Sequence, residues 1–333
     1  MKVYADLRWP AGTGIGAVQS ELLARVPSAL EVVDLGVSGR IGSPLSPLRV
    51  SQALARRGGV RGVFWSPGYI PPLTSTVPAV VTVHDLTHLH YYTRFHAAYY
   101  RVVLRNLYHR CRAIVCVSDY TRQEFLSWSG IPPERVFTVY NGVSLESFSA
   151  AAATALPYPY ILYPGNRRSY KNLDRLLQAY GRSALPTEGI HLMLTGDPDE
   201  HLHAKAREAG IDALVHYSGF VTADGLARLY RGATLVAFVS LYEGFGLPLI
   251  EGMAAGVPVL SSNVSAMPEI AGQAALLVDP TSTIDIMRGL EALAFDQGLR
   301  SRLIEQGRLR CAEFSWERSA AAVWKIVADA AGG

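Results

Sequence analysis

Cysteine is scarce in this chain. Cys111, Cys116 and Cys311 are the whole complement, an odd count with no C-x-x-C pair and no metal-ligand spacing. That pattern excludes a disulfide framework and fits inert thiols in a reducing compartment. Long apolar runs are also missing: no stretch approaches the roughly 20 residues a membrane-spanning helix needs. The opening residues, MKVYADLRWP, carry one Lys and then acidic and aromatic residues, without the apolar centre of a secretory signal. The expectation is a cytoplasmic chain, with any membrane contact peripheral, at the inner face. No Asp/Glu/His cluster has metal spacing, so no metal is expected. No groove-reading motif is present, so nucleic acid is not an expected partner. Internal repeats and low-complexity tracts are absent as well.

What is present reads as a soluble globular chain. Apolar residues make up 49% and charged residues 18% of 333. A single core rarely grows past roughly 250–300 residues, so two domains are expected. Residues 1–150 hold 15 Lys+Arg against 9 Asp+Glu, and residues 151–333 hold 16 against 19. The basic first half fits a binding surface and equally fits chance. Short Val- and Ile-rich strands (KVYADL, LEVVDLG, GVFWSP, AVVTVHD, AIVCVS, RVFTVYNG, then YILYPGN, HLMLTGD, LVHYSGF, TLVAFVS, PVLSS) alternate with helical stretches. The helices are expected at residues 16–26, 48–57, 92–110 and 119–128, then 171–182, 199–209, 223–231, 247–255, 283–296 and 298–312. Such alternation implies an α/β fold of parallel sheets covered on both faces. SAAAATALPYP, residues 149–159, is small, Pro-containing and aperiodic, and reads as the linker between two halves.

Residues 91–112, YYTRFHAAYYRVVLRNLYHRCR, contain five Arg, two His and no acid, with interleaved aromatics. Two readings stand. One is a peripheral membrane contact drawn to anionic lipid. The other is a helix with snorkelling arginines around a core stripe of Tyr99, Val102, Val103 and Leu107.

The chemistry is densest in TLVAFVSLYEGFGLPLIEGMAAGVPVLSS. A buried strand runs to Ser240, the loop LYEGFG follows, and a helix opens near Leu247-Pro248, where proline suits a first turn. Gly244 and Gly246 allow close backbone approach to a ligand, and the first-turn amides form an anion site. Glu243 lies in the loop and Glu251 in the helix. Taken alone, the segment is also compatible with a plain strand–loop–helix carrying two incidental carboxylates.

The E-x7-E spacing of Glu243 and Glu251, within EGFGLPLIEGMAAGVPVL, resembles the donor-site signature of the family 4 retaining glycosyltransferases. That resemblance implies a GT-B fold, two Rossmann-like domains facing across a cleft. It places Glu243 at the donor sugar, Glu251 on the ribose hydroxyls, and the amides of Gly244, Phe245, Gly246 and Leu247 on sugar and phosphate oxygens. A carboxylate suits two adjacent hydroxyls, and helix N-terminal amides suit phosphate. YPGNRRSYKNLDRLLQAY, residues 163–180, is similar to the family's G-N-…-K-N-L segment. It implies diphosphate contacts from Lys171 and one neighbouring arginine, Arg167 favoured over Arg168, with Asn166 at the donor. Three cations at the positive end of a helix dipole are unfavourable unless an anion joins them; a solvated helix start is the plain alternative.

Further matches are looser. SGFVTADGLARLYRGA resembles the base-holding segment, which would set Phe220 and Val221 against the base; a strand end packed in the core is the alternative. LTGD, residues 194–197, borders the nucleotide in the family. AVVTVHD resembles the family's strand ending in His-Asp and implies that His84 lies near donor sugar and acceptor, although a lone His is usually structural. CVSDYTRQEF and VYNGVSLESF are also family-like; Ser118 reads first as a helix cap and Asn141-Gly142 as a turn. AGTGIGAVQSELL resembles the G-I-G loop, with the amides of Gly14 and Gly16 facing the cleft. Gly12, Gly14 and Ala17 also fit a dinucleotide fingerprint, with Asp34 further on. The loop of about five residues, RWPAG, between strand and first Gly argues against it.

The resemblance therefore implies an acceptor-side domain over residues 1–150, a nucleotide-sugar domain over 151–314, and a helix within 315–333 returning to the first. It implies metal-free, cofactor-free transfer of a hexose with retention, from a nucleotide sugar to a glycan or lipid-linked acceptor in surface polysaccharide synthesis. GDP-mannose is the favoured donor. In the front-face mechanism the leaving phosphate helps take the acceptor proton, while Arg167 and Lys171 stabilise the diphosphate. The alternatives are an epimerase or phosphorylase of the same fold, for which no pyridoxal-lysine signature is found, or a non-catalytic sugar-nucleotide-binding protein.

Overall fold

The computed structural model describes residues 1–10, 12–57 and 61–332; Ala11, first residue of the G-I-G segment, lies outside them. The chain forms two compact units, one of Met1–Gly142 with Ser315–Gly333 and one of Val143–Phe314. The division falls at Gly142, not at residues 149–159. That small-residue stretch belongs to the second unit, where the Thr154 amide donates to the Arg228 carbonyl at 3.0 Å.

The first unit holds β1 (Lys2–Ala5), β2 (Glu31–Asp34), β3 (Val63–Ser66), β4 (Ala79–Val83), β5 (Ala113–Cys116) and β6 (Val136–Thr138). They form one parallel sheet in the order β2-β1-β3-β4-β5-β6. β3, β4 and β5 are buried at every residue, which is why VFWS, AVVTV and AIVC show no polar alternation. The helix Trp316–Gly332 closes this unit. Its Trp324 meets Trp65 of β3 edge-on at 4.8 Å and donates its indole N–H to the Leu22 carbonyl. Gly142 is required beside it, because a Cβ there would lie 2.2 Å from the Trp316 nitrogen.

The second unit holds β7 (Tyr160–Tyr163), β8 (His191–Leu194), β9 (Val215–Tyr217), β10 (Leu235–Phe238), β11 (Val259–Ser262) and β12 (Leu276–Val278), in the order β12-β11-β10-β7-β8-β9. All pairs are parallel. Numbered within the unit and read from the β9 edge, the order is 3-2-1-4-5-6, the nucleotide-binding arrangement, whose switch point lies between β7 and β10. The loops that leave β7 and β10 are those carrying Lys171 and Glu243. β12 and the short helices Leu145–Ser149 and Met267–Ala271 were not foreseen from sequence.

Candidate functional site

The site of the second unit is assembled from loops at the carboxyl ends of its strands. After β7 the chain makes a 3-10 turn, Ser169–Lys171, then places Asn172 at φ +64° before the helix Leu173–Arg182. That left-handed residue is held by its own side chain, whose amide donates to the carbonyls of Val239 and Pro280 at 2.9 and 2.8 Å. The Leu241 amide in turn donates to the Tyr170 carbonyl at 2.7 Å. These bonds sew the β7 loop onto the β10 loop.

The outcome is a contact between two side chains singled out in the sequence. Lys171 Nζ donates to Glu243 Oε1 at 2.6 Å, with only 11% and 13% of the two side chains exposed. The ammonium also lies 5.1 Å from the Phe238 ring centre and 5.3 Å from that of Tyr170. The anion needed to offset a cation ahead of a helix start is thus supplied, for Lys171, by Glu243. Glu243 itself is braced by its backbone: its amide donates to Ser265 Oγ at 3.0 Å and its carbonyl accepts from the Ala266 amide. Ser265, at φ +54°, is a support that the sequence did not reveal.

Downstream, Gly246 at φ +93° turns the chain into the helix Leu247–Ala254. Pro248 in the first turn has no amide hydrogen to leave unbonded, and the Leu249 amide donates back to the Gly246 carbonyl at 3.0 Å. Phe245 is buried and meets Phe314 edge-on at 5.7 Å, so its ring packs inside the unit. Glu251 Oε2 accepts from Tyr230 Oη at 2.6 Å. Burial raises the pKa of Glu251, and the Tyr230 hydrogen bond works against that rise.

Arg167 does not join Lys171. Its guanidinium donates to the Thr195 carbonyl at 3.2 Å, lies 3.9 Å from Asp199 and sits over the Tyr217 ring at 5.1 Å. Both Arg167 and Glu243 act electrostatically on the buried Tyr163 phenol, whose pKa burial drives well above its ordinary value. Arg168 is exposed, as is Asn166, whose carbonyl accepts from Tyr163 Oη. At the neighbouring edge, Gly196 and Gly219 exchange both backbone hydrogen bonds at 3.1 Å. Phe220 follows at 86% exposure, so it is not a packed strand end, and Val221 is half-buried.

In the first unit, His84 is half-buried at the end of β4, with Nε2 on the Pro67 carbonyl at 2.7 Å. Nε2 is therefore the protonated nitrogen, and burial lowers the imidazole pKa. Gly16 is fixed by packing: a Cβ there would lie 1.9 Å from the Pro10 carbonyl oxygen. Its amide donates to Thr13 Oγ1 at 3.0 Å, capping the helix Gly14–Leu23, and is not free for a ligand. Gly14 is exposed. Ser118 caps its helix in the same way, through the Thr121 amide. The arginine-rich segment forms the helices Arg94–Tyr99 and Arg105–Tyr108 with a π-turn, Tyr100–Leu104, between them. Its buried stripe is Ala97, Tyr100, Leu104, Leu107 and Tyr108, and Val102, expected in that stripe, is 67% exposed. Among the described residues no group of three or more His, Cys, Asp and Glu is placed to hold a metal ion.

Comparison with known proteins agrees across the chain. The Glycosyl transferases group 1 profile matches residues 146–310 and the Glycosyltransferase Family 4 profile residues 31–147. The O-antigen chain mannosyltransferase B of Escherichia coli is 31% identical over 255 residues, 72% of this chain and 67% of that protein. The serotype-specific mannosyltransferase WbdA of Escherichia coli is 30% identical over 64% of this chain, which spans only 28% of WbdA. Among solved structures, WaaG, a glycosyltransferase involved in lipopolysaccharide biosynthesis, superposes with a TM-score of 0.76 at 16% identity, covering 98% of this chain and 99% of its own. Anabaena HepE, in complex with UDP and glucose, gives 0.76 at 15% identity over 98% and 99%.

Proposed function

This chain belongs to the family 4 glycosyltransferases and has their GT-B fold, and from that premise we propose that it moves mannose, with retention, from GDP-mannose to a glycan or lipid-linked acceptor in surface polysaccharide synthesis. The observation that carries the site assignment is the Lys171–Glu243 contact at the switch point of the second unit. A buried cation held beside a carboxylate, ahead of the helix Leu247–Ala254, provides for a diphosphate and a sugar hydroxyl at one place.

In this reading Lys171 turns from Glu243 toward the diphosphate as the glycosidic bond breaks, and Glu243 keeps a sugar hydroxyl. The main-chain amides of Gly244, Phe245, Gly246 and Leu247 meet donor oxygens. Glu251 takes the ribose, and Phe220 offers an open ring face to the base beside Val221. Arg167, with Asn166 in the same loop, reaches the diphosphate from the β8 side. His84 serves donor sugar and acceptor as a neutral imidazole. The acceptor alcohol attacks the anomeric carbon on the face the leaving group departs from, and its proton passes to the departing phosphate oxygen. Donor preference for GDP-mannose is supported by the mannosyltransferase relatives, and the first unit, including residues 91–112, is assigned the acceptor and a lipid surface.

A donor screen tests this reading. GDP-mannose, GDP-fucose, UDP-glucose and UDP-galactose are each offered to the protein, with binding read by thermal shift and hydrolysis by mass spectrometry. GDP-mannose should give the largest shift and slow release of mannose. Binding of none of them would end the enzyme assignment, and preference for a UDP-sugar would end the donor assignment alone.

A further inference from the structure

Tyr230 is a fully buried side chain that touches the proposed donor site and has no role so far. It lies in the last turn of the helix Ala223–Gly232. Phe148 packs edge-on against its ring, 5.5 Å between centres and 83° between planes. The phenol donates to Glu251 Oε2 at 2.6 Å. Burial, with the Glu251 carboxylate alongside, holds its pKa well above the ordinary tyrosine value, so the hydroxyl keeps its proton and acts as donor. The other carboxylate oxygen, Oε1, accepts no hydrogen bond from a described residue.

A glutamate on a helix has several rotatable bonds, and fixing them for a ligand costs conformational entropy. A ribose hydroxyl needs one orientation of that carboxylate, in its accepting form. A buried, packed phenol that grips one oxygen leaves the second aimed and unspent.

We propose that Tyr230 is a positioning residue of the nucleotide site: by holding Glu251 Oε2 it presents Oε1 to the ribose hydroxyls of the donor. This rests on the reading that Glu251 binds ribose. The residue touches no substrate atom, and its effect passes wholly through Glu251. The hydrogen bond also opposes the rise that burial imposes on the Glu251 pKa, which keeps the carboxylate able to accept.

The experiment is a cycle of protein variant against ligand variant. Dissociation constants of GDP and of 2′-deoxy-GDP are measured by calorimetry for the wild type, Tyr230→Phe and Glu251→Gln, with UDP and 2′-deoxy-UDP as a second pair. Phenylalanine keeps the ring packing and removes only the hydroxyl, and thermal unfolding checks that the fold is retained. Wild type should bind the ribonucleotide more tightly than its deoxy analogue. Tyr230→Phe should weaken the ribonucleotide about tenfold and the deoxy analogue little, so the gap between them closes. Equal weakening of both ligands would reveal a merely structural residue and overturn the proposal, as would no weakening at all, while Glu251→Gln still closed the gap. A wild type blind to the 2′-hydroxyl, together with normal binding by Glu251→Gln, would overturn the ribose reading and the proposal with it.

Discussion

At the scale of single residues, the proposed donor site is a set of charges already paired with one another. Lys171 is already buried beside Glu243 in this structure, so turning it toward a diphosphate requires no fresh desolvation of the cation. Lys171→Ala should therefore lower turnover at least about tenfold, about 1.4 kcal/mol of barrier, in a steady-state assay with the preferred donor. A wild-type rate would remove Lys171 from the mechanism. Glu243 and Lys171 were legible in the sequence because each sits in a long motif with fixed spacing. Tyr230 was not, since in GLARLYRGA it shares helical spacing with Leu226 and reads as another core residue. Phe245 was legible only in part: the motif placed it at the donor, but its ring is spent on Phe314. The adjacent arginines look alike in sequence and differ in their surroundings. Arg167 turns inward onto Tyr217 and Thr195, whereas Arg168 is exposed.

At the scale of elements, strands buried on both faces announced themselves, since YILY and LVAF show no polar alternation. β12 did not, because it is three residues long and two of them are only half-buried. The helix bearing the arginines was foreseen, but its phase was not. The π-turn Tyr100–Leu104 inserts an extra residue per turn, which moves Val102 out of the stripe. The outer face consequently carries Phe95 at 86% and Val102 at 67% exposure among Arg94, Arg101 and Arg105, all exposed. Such a face suits an anionic lipid surface, where apolar side chains enter and arginines stay at the headgroups. In co-sedimentation the protein should pellet with vesicles containing phosphatidylglycerol and stay in solution with phosphatidylcholine alone. Phe95→Ser with Val102→Ser should release it without changing turnover on a soluble acceptor. Equal pelleting by the double variant would show that this face is not the contact.

At the scale of the whole molecule, the two units differ in how the chain builds them. The second is one continuous stretch, Val143–Phe314, while the first is made of Met1–Gly142 and Ser315–Gly333. Trp324 and Trp65, both fully buried, join the two pieces of the first unit. Trp324→Ala should cost about 3–5 kcal/mol, a large part of the roughly 5–15 kcal/mol by which a domain is stable. Limited proteolysis should then cut within Met1–Gly142 well before it cuts within Val143–Phe314, and simultaneous loss of both would contradict this division. In the sequence, only the resemblance implies that the helix within 315–333 returns to the first half. The contacts responsible are between residues some 260 positions apart, beyond the reach of any local pattern.

The ribosome meets this arrangement in one direction only. Residue 314 is made before residue 324, so the second unit has all its strands while the first still lacks the indole that covers β3. The first unit therefore waits, with Trp65 uncovered, through the synthesis of a complete second domain. Its final closure is a late event, and the hydrophobic face exposed in the interval is where a chaperone would be needed most.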